Sequence, residues 1–141
     1  MIVLDASALL AYLFSEHGCD VVAEQIESSC LSSVNLTEVI ARFVRDGHSA
    51  EAVYQQLAGS GIEVVPFLAE DAVLAAGLIT HTQKHGLSLA DRACLALALR
   101  RNIPAFTADQ IWSKLDLPIA IQQIRASTPP STYSPNSAAA M

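Results

Sequence analysis

The chain has 141 residues, 52% of them hydrophobic and 16% charged, with a formal net charge of −6 and a mean hydropathy of +0.37. That length suits one domain with a substantial core, and the acidity excludes a protein that grips nucleic acid through a broad basic surface. So few charges imply that some apolar surface is covered, by a second copy of the chain or by another protein.

Ile2 to Leu4 reads as a short β-branched strand and Ala6 to Phe14 as a helix with Leu9, Leu10 and Leu13 on one face. A second helix is expected over Cys19 to Glu27, then a brief strand around Cys30 and Leu31. Val34, Val39, Ile40, Phe43 and Val44 form a helical stripe that ends near Gly47, and residues 50–58 form a shorter helix closed by Gly59, Ser60 and Gly61. Ile62 to Phe67 is a strand, Ala69 to Thr82 a helix, Ser88 to Arg101 a longer helix, Pro104 to Phe106 a strand and Ile119 to Ile124 the last strand. Such alternation favours a parallel sheet covered by helices on both faces. From Ser127 the chain is rich in Pro, Ser and Thr, too polar to offset its own ordering entropy. The expected organisation is therefore a folded domain over 1–126 and a disordered tail over 127–141.

Three cysteines, Cys19, Cys30 and Cys94, are odd in number and show no C-x-x-C spacing, which fits small core residues of a reduced protein. The start MIVLD carries no secretory pattern, and no run of eighteen uncharged apolar residues occurs. A cytoplasmic protein with no membrane span is expected.

Asp5, Glu38, Asp91 and Asp109 each fall where a strand gives way to a helix or where a helix makes its first turns. In an α/β fold those places share one edge of the sheet, so the four carboxylates can converge. An acidic pocket without basic or histidine partners suits Mg²⁺ or Mn²⁺, hard cations that prefer carboxylate oxygen and water. Each acid also has a plainer reading as a helix cap. Asp5 can be an N-cap, Asn35 to Glu38 and Ser88 to Asp91 have the form of capping boxes, and Thr107 can cap a turn through Asp109. Capping alone leaves unexplained why two of these acids follow strands and why the helices bearing the other two are so apolar. Bound divalent cations would cancel most of the net charge and make the pocket receptive to phosphate.

The segments MIVLDASALLAYLF, SSVNLTEVIARF and GLSLADRACLALALRRNIPAFTADQIW resemble, in order and spacing, the signature blocks of the PIN domain, and among its members the VapC-type toxins of type II bacterial toxin–antitoxin pairs. The resemblance covers about residues 1–125; the polar tail is no part of it, and the last strand, IAIQQIR, is only loosely similar. It implies a three-layer α/β/α fold with a parallel five-stranded sheet. It also implies a metal-dependent endoribonuclease using Mg²⁺ or Mn²⁺, which leaves a 5′-phosphate and a 3′-hydroxyl. Asp5, Glu38, Asp91 and Asp109 match the family's acidic quartet, with Asp5 and Asp91 expected as central metal ligands. Ser7 and Thr107 match its supporting hydroxyl positions. A homodimer and a cognate antitoxin protein are the partners such a resemblance implies, beside the RNA substrate.

Arg92, next to Asp91, is the candidate among the arginines for a phosphate contact, whereas the four histidines lack zinc spacing and Phe106 and Trp112 suit the core. Two other readings compete. An aspartyl phosphohydrolase also begins with an acid after its first strand, but its second acid is here Ser7, which removes the general acid. A catalytically silent PIN-like module that only binds RNA or protein would have little reason to hold four acids together against their repulsion.

Overall fold

The computed structural model of the chain describes residues 1–125; the expected boundary at 126 and the polar tail over 127–141 lie outside the described residues. Five short strands, β1 (Ile2–Leu4), β2 (Ser29–Ser32), β3 (Glu63–Val65), β4 (Ala105–Thr107) and β5 (Ile121–Gln123), form one sheet in the order β3-β2-β1-β4-β5. Every pairing is parallel, so helical crossovers must cover both faces, as expected from the alternating pattern. The helices are α1 (Ala6–Leu13), α2 (Cys19–Ala23), α3 (Ser33–Arg45), α4 (Ala50–Ala58), α5 (Ala69–Gly77), α6 (Ile79–Thr82) and α7 (Leu89–Arg101).

The period-two alternation of the strands sorts the core into two layers. Ile2, Leu4, Leu31 and Phe106 face one side, where they pack with Leu9 of α1, Val22 of α2, Val39 of α3 and Leu57 of α4. Val3, Cys30, Val65 and Ala105 face the other, against Leu78, Leu95, Leu97 and Trp112. Helix α7 serves the second layer and is buried nearly all round, from Ala90 through Ala98. Trp112 is fully buried, in keeping with a core role.

Several boundaries differ from the sequence expectation. The helix expected over Cys19 to Glu27 stops at Ala23 and gives way to a 3₁₀ turn over Ile26–Ser28. The helix expected over Ala69 to Thr82 breaks after Gly77, a poor helix former, into α5 and α6, and a 3₁₀ turn follows at Gln83–His85. Strand β3 ends at Val65 because Pro66 has no N–H for the ladder. The capping box expected at Asn35 to Glu38 does not form. Helix α3 starts three residues earlier, capped by Ser32 in place of Asn35, and the Ser32 hydroxyl accepts from the Val34 N–H at 3.2 Å.

Two tethers fix the ends of the layers. Gly18, at φ +96°, lies so close to the end of β5 that a Cβ there would sit 2.7 Å from the Ile124 carbonyl oxygen. Beside it the Arg125 guanidinium donates to the His17 carbonyl oxygen at 2.7 Å. At the C-terminal end of α7, Arg100 grips the buried Asp71 and Arg101 makes a two-pronged contact with Glu63, both bonds 2.9 Å.

Candidate active site

The strand order reverses direction at β1 and β4: β2 and β3 lie on one side of β1, β4 and β5 on the other. In a parallel sheet this switch opens a crevice at the C-terminal ends of the two central strands. Asp5 follows β1 and caps α1, its carboxylate accepting the Ala8 N–H at 2.8 Å. Thr107 ends β4 and donates its hydroxyl to Asp5 at 2.6 Å, while Ser7 shares its hydroxyl proton between the two Asp5 oxygens at 2.8 and 2.9 Å. The same hydroxyls receive backbone donors from the following loop, Ser7 from Ala108 at 2.9 Å and Thr107 from Asp109 at 3.0 Å. Ser7 and Thr107 therefore hold one carboxylate rigid and lock the β4 loop onto it, the support that orients a ligand side chain.

Asp5 is 3% exposed and has no cationic partner among the described residues. Burial pushes its carboxyl up from 3.8 to about 6; the hydrogen bonds from Thr107, Ala8 and Ser7 oppose this, and the charge of Asp91 adds to it. Asp91 stands at the third position of α7 in a reciprocal capping box with Ser88: the Ser88 N–H donates to its carboxylate at 2.9 Å and its own N–H to the Ser88 hydroxyl at 3.2 Å. Glu38, in the second turn of α3, is raised by partial burial of its carboxylate and by Asp91, and lowered by the Asn35 amide. Asp91 is thus the hub whose charge reaches both Asp5 and Glu38. One turn further along α7, burial drives the Cys94 thiol well above its usual value, with Asp5 and Asp91 adding to the effect, so this cysteine stays neutral and unreactive.

Asp109 joins through the backbone. It caps the 3₁₀ turn over Gln110–Lys114 by accepting the Ile111 N–H at 3.0 Å, and its own N–H bonds to Thr107, which in turn holds Asp5. Caps and site coincide for Asp5, Asp91 and Asp109; only Glu38 has no capping role. Among the described residues no three acidic, histidine or cysteine side chains stand close enough to enclose a metal ion. The donor set still suits Mg²⁺ or Mn²⁺: carboxylates close enough for Asp91 to raise Asp5 and Glu38, with no neutralising cation among the described residues, for ions that take one or two carboxylates and fill the rest of their shell with water and substrate phosphate.

Asn35 is the residue that sequence reasoning missed. It is 1% exposed, its amide donates to the Ala90 carbonyl oxygen at 3.1 Å, and it also faces Glu38. It thereby fastens α3 to the start of α7 and brings Glu38 beside Asp91. A polar residue three before Glu38 in an apolar helix is the signal, which the capping-box reading absorbed. Arg92 is placed differently from the acids. Its guanidinium turns to the Ala75 carbonyl oxygen at 3.4 Å, on α5. A cleft of about 660 Å³ opens beside Glu38, with Ser33, Thr37, Arg45, Ser88 and Leu89 among its walls.

The profile of the PIN domain family matches residues 2–117. Among solved structures the chain is similar to FitAcB from Neisseria gonorrhoeae, at 19% identity over 88% of this chain and 98% of that one, with a TM-score of 0.65. It is similar to DNA-bound VapBC from Salmonella typhimurium at 18% identity over 87% and 97% of the two chains, TM-score 0.64. A third likeness is to VapC20 from Mycobacterium tuberculosis, a sarcin-ricin loop cleaving toxin, at 17% identity over 80% and 93%, TM-score 0.64. No curated protein matches the chain. At these identities the solved structures establish a common fold, and the family profile, which spans most of the chain, establishes the rest: the chain belongs to the PIN domain family.

Proposed function

We propose that this protein is a metal-dependent endoribonuclease and the toxin of a toxin–antitoxin pair. The observation that carries the reading is the acid cluster at the switch of the sheet, where Asp5 is held at about 6 by burial and by Asp91 with no cation to relieve it. Such an arrangement disfavours the metal-free state and favours loading. Asp5 and Asp91 would hold Mg²⁺ or Mn²⁺, with Glu38 and Asp109 beside them, and the ion would supply neutralisation of the charge that builds on a scissile phosphodiester.

The chain's own residues set the conditions for that chemistry. Ser7, Thr107 and the Ala8 N–H fix the Asp5 oxygens, so no reorganisation is needed when substrate arrives. Glu38 is exposed at the cleft, and partial burial of its carboxylate and the charge of Asp91 raise its carboxyl, the direction that suits a proton acceptor. The cleft beside it gives an RNA strand access to Glu38 and to the start of α7 that bears Asp91, and Arg45 in its wall is available to a phosphate.

Two surfaces fit the partners. A second cavity of about 410 Å³ between α1, α3 and α4 is walled by Tyr12, Leu13, Phe43, Val53 and Leu57, an apolar seat for a segment of an antitoxin. Similar structures include a toxin–antitoxin complex from Klebsiella pneumoniae, which supports such a partner. Leu68, Val73 and Ile79 are exposed along α5 and α6, a face suited to a second copy of the chain. No helix among the described residues is long and apolar enough to cross a membrane.

The deciding experiment is cleavage of total cellular RNA by the purified protein with Mn²⁺, with chelator, and with Asp91→Asn in parallel. Discrete fragments that vanish with chelator and in the variant are expected. Fragments that persist with chelator would refute a metal-dependent site, and an absence of Mn²⁺ binding by calorimetry would point to a silent RNA- or protein-binding module.

A further inference from the structure

The chain contains two lysines, Lys84 and Lys114, and both lie in one place. A small polar cavity of about 230 Å³ is lined by Thr80, His81, Lys84 and His85, from α6 and the 3₁₀ turn after it, and by Lys114 and Asp116, from the turn after β4. Elsewhere Arg42, Arg100, Arg101 and Arg125 are each engaged by a carboxylate. Among the described residues neither lysine has an acid within ion-pair distance, Asp116 on the same rim included. Two ammonium groups and two imidazoles around a single carboxylate reverse, locally, the sign of a chain whose net charge is −6.

The cavity is also close to the acids along the chain. Lys114 ends the 3₁₀ turn that Asp109 caps, five residues on, or about 10 Å at a rise of about 2 Å per residue. His85 lies three residues before Ser88, the cap of the helix that bears Asp91.

We propose that this cavity is a phosphate-binding subsite for the backbone of the RNA strand that is cut at Asp5 and Asp91, an inference that rests on the ribonuclease reading above. An acidic centre attracts a polyanion poorly, so affinity must come from cations set apart from the reacting phosphate, whose binding energy also fixes the strand in register. Lysine is a compact point charge for phosphate, and the imidazole N–H groups of His81 and His85 add donors at the same cavity. Asp116 is the one group on the rim that opposes an anion.

The test is fluorescence anisotropy with a short fluorescein-labelled single-stranded RNA of mixed sequence, over a salt series, with chelator and with Mn²⁺. For the Lys84→Ala/Lys114→Ala variant affinity is expected to drop several-fold, and the slope of log Kobs against log salt to shrink by about 1.4, two contacts at about 0.7 each. Asp116→Asn is expected to tighten binding. All three side chains are exposed, so the fold is not at stake. Equal affinity and slope in the lysine variant would overturn the subsite while leaving the ribonuclease reading to the Asp91→Asn cleavage assay. A wild-type protein that binds no RNA in either condition would overturn both.

Discussion

The two ends of helix α7 treat carboxylates in opposite ways. At its start, Asp91 raises both Asp5 and Glu38, and among the described residues none of the three is paired with a cation. At its other end, Arg100 holds Asp71 and Arg101 holds Glu63. Burial alone would lift Asp71, but the Arg100 guanidinium and the Leu68 N–H outweigh it and leave the carboxyl below its usual range. The Arg101 guanidinium likewise lowers Glu63. Asp5 and Asp71, 3% and 2% exposed, therefore shift in opposite directions: Asp5 lies deep in the protein without an arginine, whereas Asp71 lies near the surface under the Arg100 guanidinium. One end of the helix is built to fold and the other is left electrically unfinished.

That contrast can be broken at several points. Asp91→Asn removes the hub of the unfinished end and should lower the rate of RNA cleavage by at least about 100-fold, roughly 3 kcal/mol in the barrier, while circular dichroism stays unchanged. Asp71→Ala leaves the part-buried Arg100 without its partner and should cost about 3 kcal/mol in urea unfolding. Asp5→Asn should act with the other sign on stability. With its carboxyl raised from 3.8 to about 6, the folded state binds that proton more tightly than the unfolded chain. Stability from this group is therefore full below about 4 and is lost as pH rises to about 6, by about 3 kcal/mol in total. In chelator at pH 7.5 the asparagine variant should be about 1–2 kcal/mol more stable than wild type and its stability flat over that window, with the lost hydrogen bonds accounting for the difference. A variant less stable than wild type at pH 7.5 would mean that Asp5 is not strained. Glu63→Gln at the exposed end should change stability by less than about 0.5–1 kcal/mol and lose even that at high salt.

How much of this was legible beforehand depended on whether a feature was local. The strand before Asp5, the parallel sheet and the two-sided core follow from residue patterns within a few positions, and they stand as expected. Asn35 did not, because cap and helix interior look alike when a strand runs into a helix without a loop: Ser32 ends β2 and caps α3 at once. The break after Gly77 was hidden by continuous helical periodicity on either side of it. The direction of Arg92 could not be read either, since the Ala75 carbonyl that receives it lies 17 residues away in sequence. That Ser7 and Thr107 share one carboxylate is a contact across 102 residues, which no window of sequence contains.

This last contact has a bearing on when, during synthesis, the acidic edge can form. Asp5 is synthesised ahead of all its companions, which follow in the order Glu38, Asp91, Thr107 and Asp109. Because β1 sits at the middle of the sheet, its neighbour β4 can dock only after some hundred further residues have been synthesised. The acidic edge is thus complete only once β4 and the loop bearing Asp109 have been made, and a nascent chain that stops short of them holds Asp5 without the hydroxyls that orient it.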